Sequence, residues 1–158
     1  MIQLIELFTA PTGITMPQSQ WFHMFCTSNM QFVGSSESSS GYIKASHTEQ
    51  SEYTVFRLDS QGEGNYRLYS RIHNQYVSGV GSDATGTWPL IAETRDPAWS
   101  IFHIEQNSAG LIAFKSTTSS ANNAKTPFVG VLGSEARLYI DYSNANLPQV
   151  AFIPYLHQ

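Results

Sequence analysis

The stretch AWSIFHIEQNSAG, residues 98–110, has a counterpart 46 residues earlier in EYTVFRLDSQGEG, residues 52–64. In both, an aromatic and a small hydroxyl residue lead into a β-branched aliphatic and Phe. A polar residue, an aliphatic and an acid follow, and a polar run closes on Gly. With Phe56 and Phe102 as anchors, a further step of 50 residues reaches Phe152 in PQVAFIPY, where Pro148 and Pro154 alter the flanks.

Three more landmarks keep this rhythm. Phe25, Tyr69 and Phe114 precede CTS, SRI and KST. The pairs Phe32-Val33, Tyr76-Val77 and Phe128-Val129 are each followed by Gly or Ser. The segments YIKAS, PLIAE and LYIDY align at Ala45, Ala92 and Asp141. Four landmarks recurring three times in one order constitute an internal repeat, since coincidence would have to preserve order and spacing together.

Each copy holds four short apolar pieces. In the second they are YRLYS (66–70), NQYVSG (74–79), PLIAE (89–93) and WSIFHIE (99–105). β-Branched and aromatic residues bounded by Gly, Asn and Asp predict strands. SSESSSG, GSDATG, SSANNAK and NSAG have loop compositions. No segment sustains a 3.6-residue apolar period, so the chain reads as all-β. One four-stranded unit has open edges, whereas three units about a common axis close a barrel. The expectation is a β-trefoil of twelve strands over residues 20–158, with pseudo-threefold repeats at about 20–64, 65–110 and 111–158. Residues 1–19, with Ile2, Leu4, Ile5, Leu7 and Phe8, are expected to pack on it as an N-terminal extension.

Composition narrows the function. At 158 residues the chain suffices for one domain with a real core. Charged residues make up only 13%, about half the usual share, while 20 serines give a polar, weakly charged surface. A net charge of −4 gives no general attraction to nucleic acid. The single Cys26 allows no intramolecular disulfide, and its apolar surroundings predict an inert buried thiol. The N-terminus lacks a basic region and carries Glu6 within its short apolar run, so no signal peptide is read. A cytoplasmic location is expected, with non-classical secretion left open. No apolar stretch approaches the roughly 20 residues of a membrane span.

The pattern NQYVSG…PLIAETRDPAWSIFHIE resembles the repeat of fascin-like trefoils, in which a strand ending in Tyr-Val precedes a Gly-containing hairpin and an aliphatic-x-Ala strand. More loosely, YRLYS…NQYV and the Trp99-Ser100-Ile101-Phe102 strand resemble the amaranthin-type agglutinin domain, a plant lectin trefoil. The resemblance runs from about Trp21 to the end and implies the trefoil fold. Through the agglutinins it also implies sugar recognition. The ricin-type Gln-x-Trp pattern is absent from the repeat ends, so the sugar-site rules of that family do not carry over.

Enzyme signatures are missing. His23, His47, His73, His103 and His157 have no close metal-ligand spacing, and neither a Gly-x-Ser-x-Gly elbow nor a phosphate loop occurs. No catalysis and no cofactor is expected. Sugars offer hydroxyls and an apolar C–H face, which aromatic platforms and Asn, Asp and Ser side chains recognise. The candidate ligand-binding residues are Trp88, His73, Asn74, Asp141, Tyr142 and Asn144, which break the core pattern, together with Tyr76 beside Asn74. The reading is a non-enzymatic lectin for glycans or glycoconjugates, gaining strength as a homo-oligomer, with a dimer expected. The alternatives are a fascin-like, actin-binding type of protein-interaction module and a trefoil protease inhibitor.

Overall fold

The structure, a computed structural model, describes residues 3–4, 8–10, 13–15, 20–36, 41–79, 88–93, 97–118 and 126–158. The predicted loops GSDATG and SSANNAK, and most of SSESSSG, lie outside the described residues. Three short strands come first: β1 (Gln3–Leu4), β2 (Phe8–Ala10) and β3 (Gly13–Thr15). They are followed by β4 (Trp21–Cys26), β5 (Gln31–Ser35), β6 (Ile43–His47) and β7 (Phe56–Gly62). The middle of the chain forms β8 (Asn65–Ser70), β9 (Gln75–Tyr76), β10 (Ser78–Gly79), β11 (Trp88–Ile91) and β12 (Ile101–Gln106). The last part forms β13 (Ile112–Ser116), β14 (Phe128–Leu132), β15 (Arg137–Tyr142) and β16 (Phe152–Leu156). Among the described residues the only helical segments are short 3₁₀ turns at Glu52–Thr54, Pro97–Ser100 and Pro148–Val150, just before β7, β12 and β16.

Antiparallel pairing runs from β4 to β7, β8, β12, β13 and β16, and β16 pairs back with β4. This ring is a closed barrel, which satisfies the edges of its own strands. The hairpins β5–β6, β10–β11 and β14–β15 are joined to one another through β15, which pairs with both β6 and β11. β1 adds antiparallel to β16, and β2 pairs with β3.

Alternation along the barrel strands sets the core. Phe22, Met24, Phe56, Leu58, Tyr66, Leu68, Phe102, Ile104, Ile112, Phe114 and Phe152 are all buried, and their neighbours in sequence mostly face outward. Burying each such side chain contributes about 1.5–3 kcal/mol. Cys26 is a buried free thiol within this core.

Three expectations shift in detail. Cys26, Ser70 and Ser116 stand opposite Phe152, Phe56 and Phe102. The residue matching Phe25 and Tyr69 is therefore Lys115, and Phe114 is a core residue. Likewise Val33 faces Ala45 while Val129 faces Ile140, so Ile140 takes the place read for Asp141. A one-residue slip exchanges the two faces of a strand. Finally, Trp99 belongs to the 3₁₀ turn, which the Ser100 hydroxyl closes by donating to the Pro97 carbonyl at 2.7 Å.

The hairpins pack tightly at glycines. A Cβ on Gly34 would lie 2.7 Å from the His47 ring and 2.9 Å from the Tyr53 carbonyl oxygen. On Gly130 it would lie 2.5 Å from the Tyr142 ring. Each glycine follows a register shift, between Phe32 and Val33 and between Phe128 and Val129.

Candidate functional site

The first half of β7, together with β8, carries an unusual outer face. Register places Trp21 opposite Arg57, Arg57 opposite Tyr69, and Tyr69 opposite Tyr76, one row across β4, β7, β8 and β9. The Arg57 guanidinium lies 5.0 Å from the Trp21 ring centroid and 4.6 Å from that of Tyr69. Tyr69 meets Tyr76 edge-on at 5.2 Å, and Arg67 covers the Tyr76 ring at 3.7 Å. Such cation–π contacts contribute about 0.5–1 kcal/mol each at exposed sites.

Asp59 ties the row together. It accepts a two-point fork from Arg57, at 2.8 and 3.0 Å, and the Tyr76 hydroxyl donates to it at 2.6 Å. Burial alone would raise the Asp59 carboxyl, but the Arg57 and Tyr76 hydrogen bonds and the charges of Arg57 and Arg67 outweigh it and hold the group below the usual carboxylate range.

At the Trp21 end of the row a cleft of about 420 Å³ opens between Glu52, Val55, Arg71, Ile72 and His157. Its volume falls in the range of small-ligand sites. Glu52 begins the 3₁₀ turn that Ser51 caps, with the Ser51 hydroxyl accepting from the Tyr53 N–H. Arg71 and Ile72 sit in the turn after β8, which the Arg71 N–H fastens to the Val55 carbonyl at 3.2 Å. His157 follows β16 and donates its backbone N–H to the Trp21 carbonyl at 2.9 Å. Arg71 also lies 5.2 Å from the Trp21 ring centroid, so one guanidinium belongs to both cleft and row. Among the described residues neither Glu52 nor Arg71 forms an ion pair, so the cleft presents one carboxylate and one guanidinium unspent.

Behind the cleft lies a buried chain of polar groups. His23 Nδ1 is 2.8 Å from Thr54 Oγ1, and His23 Nε2 is 2.9 Å from His157 Nδ1. The Thr54 hydroxyl donates to the Ser51 carbonyl at 2.9 Å. For every contact to be a hydrogen bond, His23 donates from Nδ1 to Thr54, and His157 donates from Nδ1 to His23. The one polar atom left on the His157 ring is then Nε2, as an acceptor. Burial, and next the neighbouring His157, push His23 down to about 4, so it is neutral at ordinary pH.

The structure distributes the sequence candidates over three places. His73, Asn74 and Tyr76 share the turn and strand next to Ile72 and Arg71. Asn74 adopts a left-handed backbone at φ 52° and accepts from the Tyr69 hydroxyl at 3.3 Å. The His73 ring lies beside Gly41, with Nε2 shielded and without a partner among the described residues. Trp88 stacks on Trp99 at 4.0 Å and 10° and packs against the core, its Nε1 shielded and without a hydrogen-bond partner among the described residues. Asp141, Tyr142 and Asn144 close the last hairpin and the turn after it. The Tyr142 hydroxyl donates to the Val131 carbonyl, and Asn144 Oδ1 accepts from the Asn146 N–H at 2.8 Å. Sequence reasoning missed Glu52, Val55, Arg71, Ile72 and His157. The available signal was the concentration of Arg and aromatic residues at outward positions of YRLYSRI in the second copy alone.

No group of three His, Cys, Asp or Glu residues that could hold a metal exists among the described residues, and no helix there is long and apolar enough to cross a membrane. No protein-family model matches the sequence, and no curated protein is detectably similar to it. Solved structures do match: 175 chains resemble the fold. One is a designed 3-fold symmetric protein, ThreeFoil, superposing with a TM-score of 0.69 at 10% identity, over 85% of this chain and 97% of that one. The fold is trefoil-like. Identity this low carries the fold alone, and such folds host many functions.

Proposed function

We propose that this chain is a β-trefoil of twelve strands in three pseudo-threefold repeats, and that it is a non-enzymatic carbohydrate-binding protein. The observation that carries the second part is the cleft itself. Glu52 and His157 Nε2 accept hydrogen bonds from hydroxyls, Arg71 donates to them, and Val55 and Ile72 supply apolar surface for a C–H face. This donor and acceptor set suits a polyhydroxylated ring. A site this open binds weakly alone, so assembly into dimers or larger oligomers would raise avidity.

A glycan array with the folded protein tests the reading. Specific binding that is lost in Arg71→Ala and kept in Met30→Ala, which alters another exposed residue, in the turn between β4 and β5, supports it. Binding lost in a folded Trp88→Ala but kept in Arg71→Ala would move the site to the stacked tryptophans. No binding to any glycan, with capture of a protein partner, favours the second reading, a protein-interaction module. The Trp21–Arg57–Tyr69–Tyr76 row supports that reading, because Trp, Tyr and Arg are the residue types enriched at interface hot spots.

A further inference from the structure

We propose that the cleft selects acidic glycans, sugars bearing a ring carboxylate, with Arg71 reading the acid. This rests on the carbohydrate reading above and names the class of sugar. Arg57, Arg67 and Arg71 converge on one outer face, three of only eight basic residues in a chain of net charge −4. The acid bonded within that group is Asp59, whose fork is taken by Arg57. Arg67 is held by Ser100, donating Nε to its hydroxyl at 3.0 Å.

Arg71 is different. It lines the cleft, lies over Trp21, and has no carboxylate partner among the described residues. A guanidinium held over an indole by cation–π attraction still has its N–H donors for a carboxylate, which an arginine fork binds at two points. Glu52 on the same cleft repels a second negative charge, so the ligand carries its acid on the Arg71 side and hydroxyls toward Glu52 and His157. The overall negative charge of the chain disfavours anions elsewhere, which confines this selectivity to the site.

The test pairs oligosaccharides of glucuronic, galacturonic or mannuronic acid with their carboxyl-reduced counterparts, in which each carboxylate has become a hydroxymethyl. A charged two-point contact predicts that at least one acidic form binds about tenfold or more tightly than its reduced partner. Arg71→Gln should erase that gap while thermal unfolding confirms a folded protein. Glu52→Gln should widen it. Equal binding of each pair overturns this inference and leaves the carbohydrate reading standing, as does a gap unchanged in Arg71→Gln. Binding of neither form, with no neutral sugar bound on the array, overturns both.

Discussion

The imidazole of His157 stands 2.9 Å from that of His23, and through this contact the segment after the last strand meets the first barrel strand. His157 lines the cleft and His23 lies buried behind it, so the pair bears on folding and on the site.

Acid should weaken the fold through His23. The unfolded imidazole takes up its proton near pH 6.5, the folded one only near 4. Between those values the unfolded chain binds more protons, so stability falls as pH drops. It should be level above about pH 6.5 and lose on the order of 3 kcal/mol from this group by about pH 4. Urea midpoints at pH 7 and pH 4.5 measure the loss. His23→Gln should flatten the slope even if it lowers stability throughout, and an equal slope in the variant would count against the assignment.

Gly34→Ala and Gly130→Ala should each destabilise by about 1–3 kcal/mol, because the added methyl meets neighbouring ring and backbone atoms closer than such atoms normally approach. At Gly34 the obstacles are the His47 ring and the Tyr53 carbonyl; at Gly130 they are the Tyr142 ring and the Gln149 carbonyl at 3.1 Å. Chemical denaturation reads the difference. An unchanged midpoint in both variants would show that the hairpins are looser than described.

Trp88→Ala removes half of a stacked indole pair that also packs against the core. A loss of about 2–4 kcal/mol is expected, toward the lower end because both rings are only partly buried. Thermal unfolding provides the measurement, and it must accompany any binding experiment on this variant.

Asp59→Asn removes the acceptor that Arg57 and Tyr76 share. The phenol of Tyr76 is held above its usual value chiefly by its hydrogen bond to Asp59, so it should titrate at lower pH in the variant, followed by tyrosinate absorbance. Because the pair is partly solvated, the stability change should be modest, about 1 kcal/mol.

Much of the fold was legible because core spacing repeats. Phe56, Phe102 and Phe152 all prove fully or nearly fully buried, and each follows a 3₁₀ turn. The slips came where apolar residues occupy both faces of a strand. In β13 the aromatic Phe114 points inward and Lys115 takes the outward place of Phe25 and Tyr69, so matching aromatic to aromatic moved the register by one. In β15 a bulge in the partner strand, between Phe128 and Val129, concealed that Ile140 corresponds to Ala45. The cleft was illegible for a different reason. The β7–β8 pairing brings Glu52 and Arg71 together, but His157, far along the chain, joins them only when β16 pairs with β4. The turn residues His73 and Asn74 lay beside it, and the one local signal, the outward Arg and aromatic residues of YRLYSRI, reached only Arg71 and Ile72 of its lining.

That closure gives the cleft a mechanical side. A guest lodged between Glu52, Arg71 and His157 would bridge the last residues of the chain to the segments flanking β7 and β8, acting as a clasp beside the seam where the barrel is sewn shut. Peeling the terminal strand away would first have to eject that guest, so occupancy and resistance to unzipping should rise together.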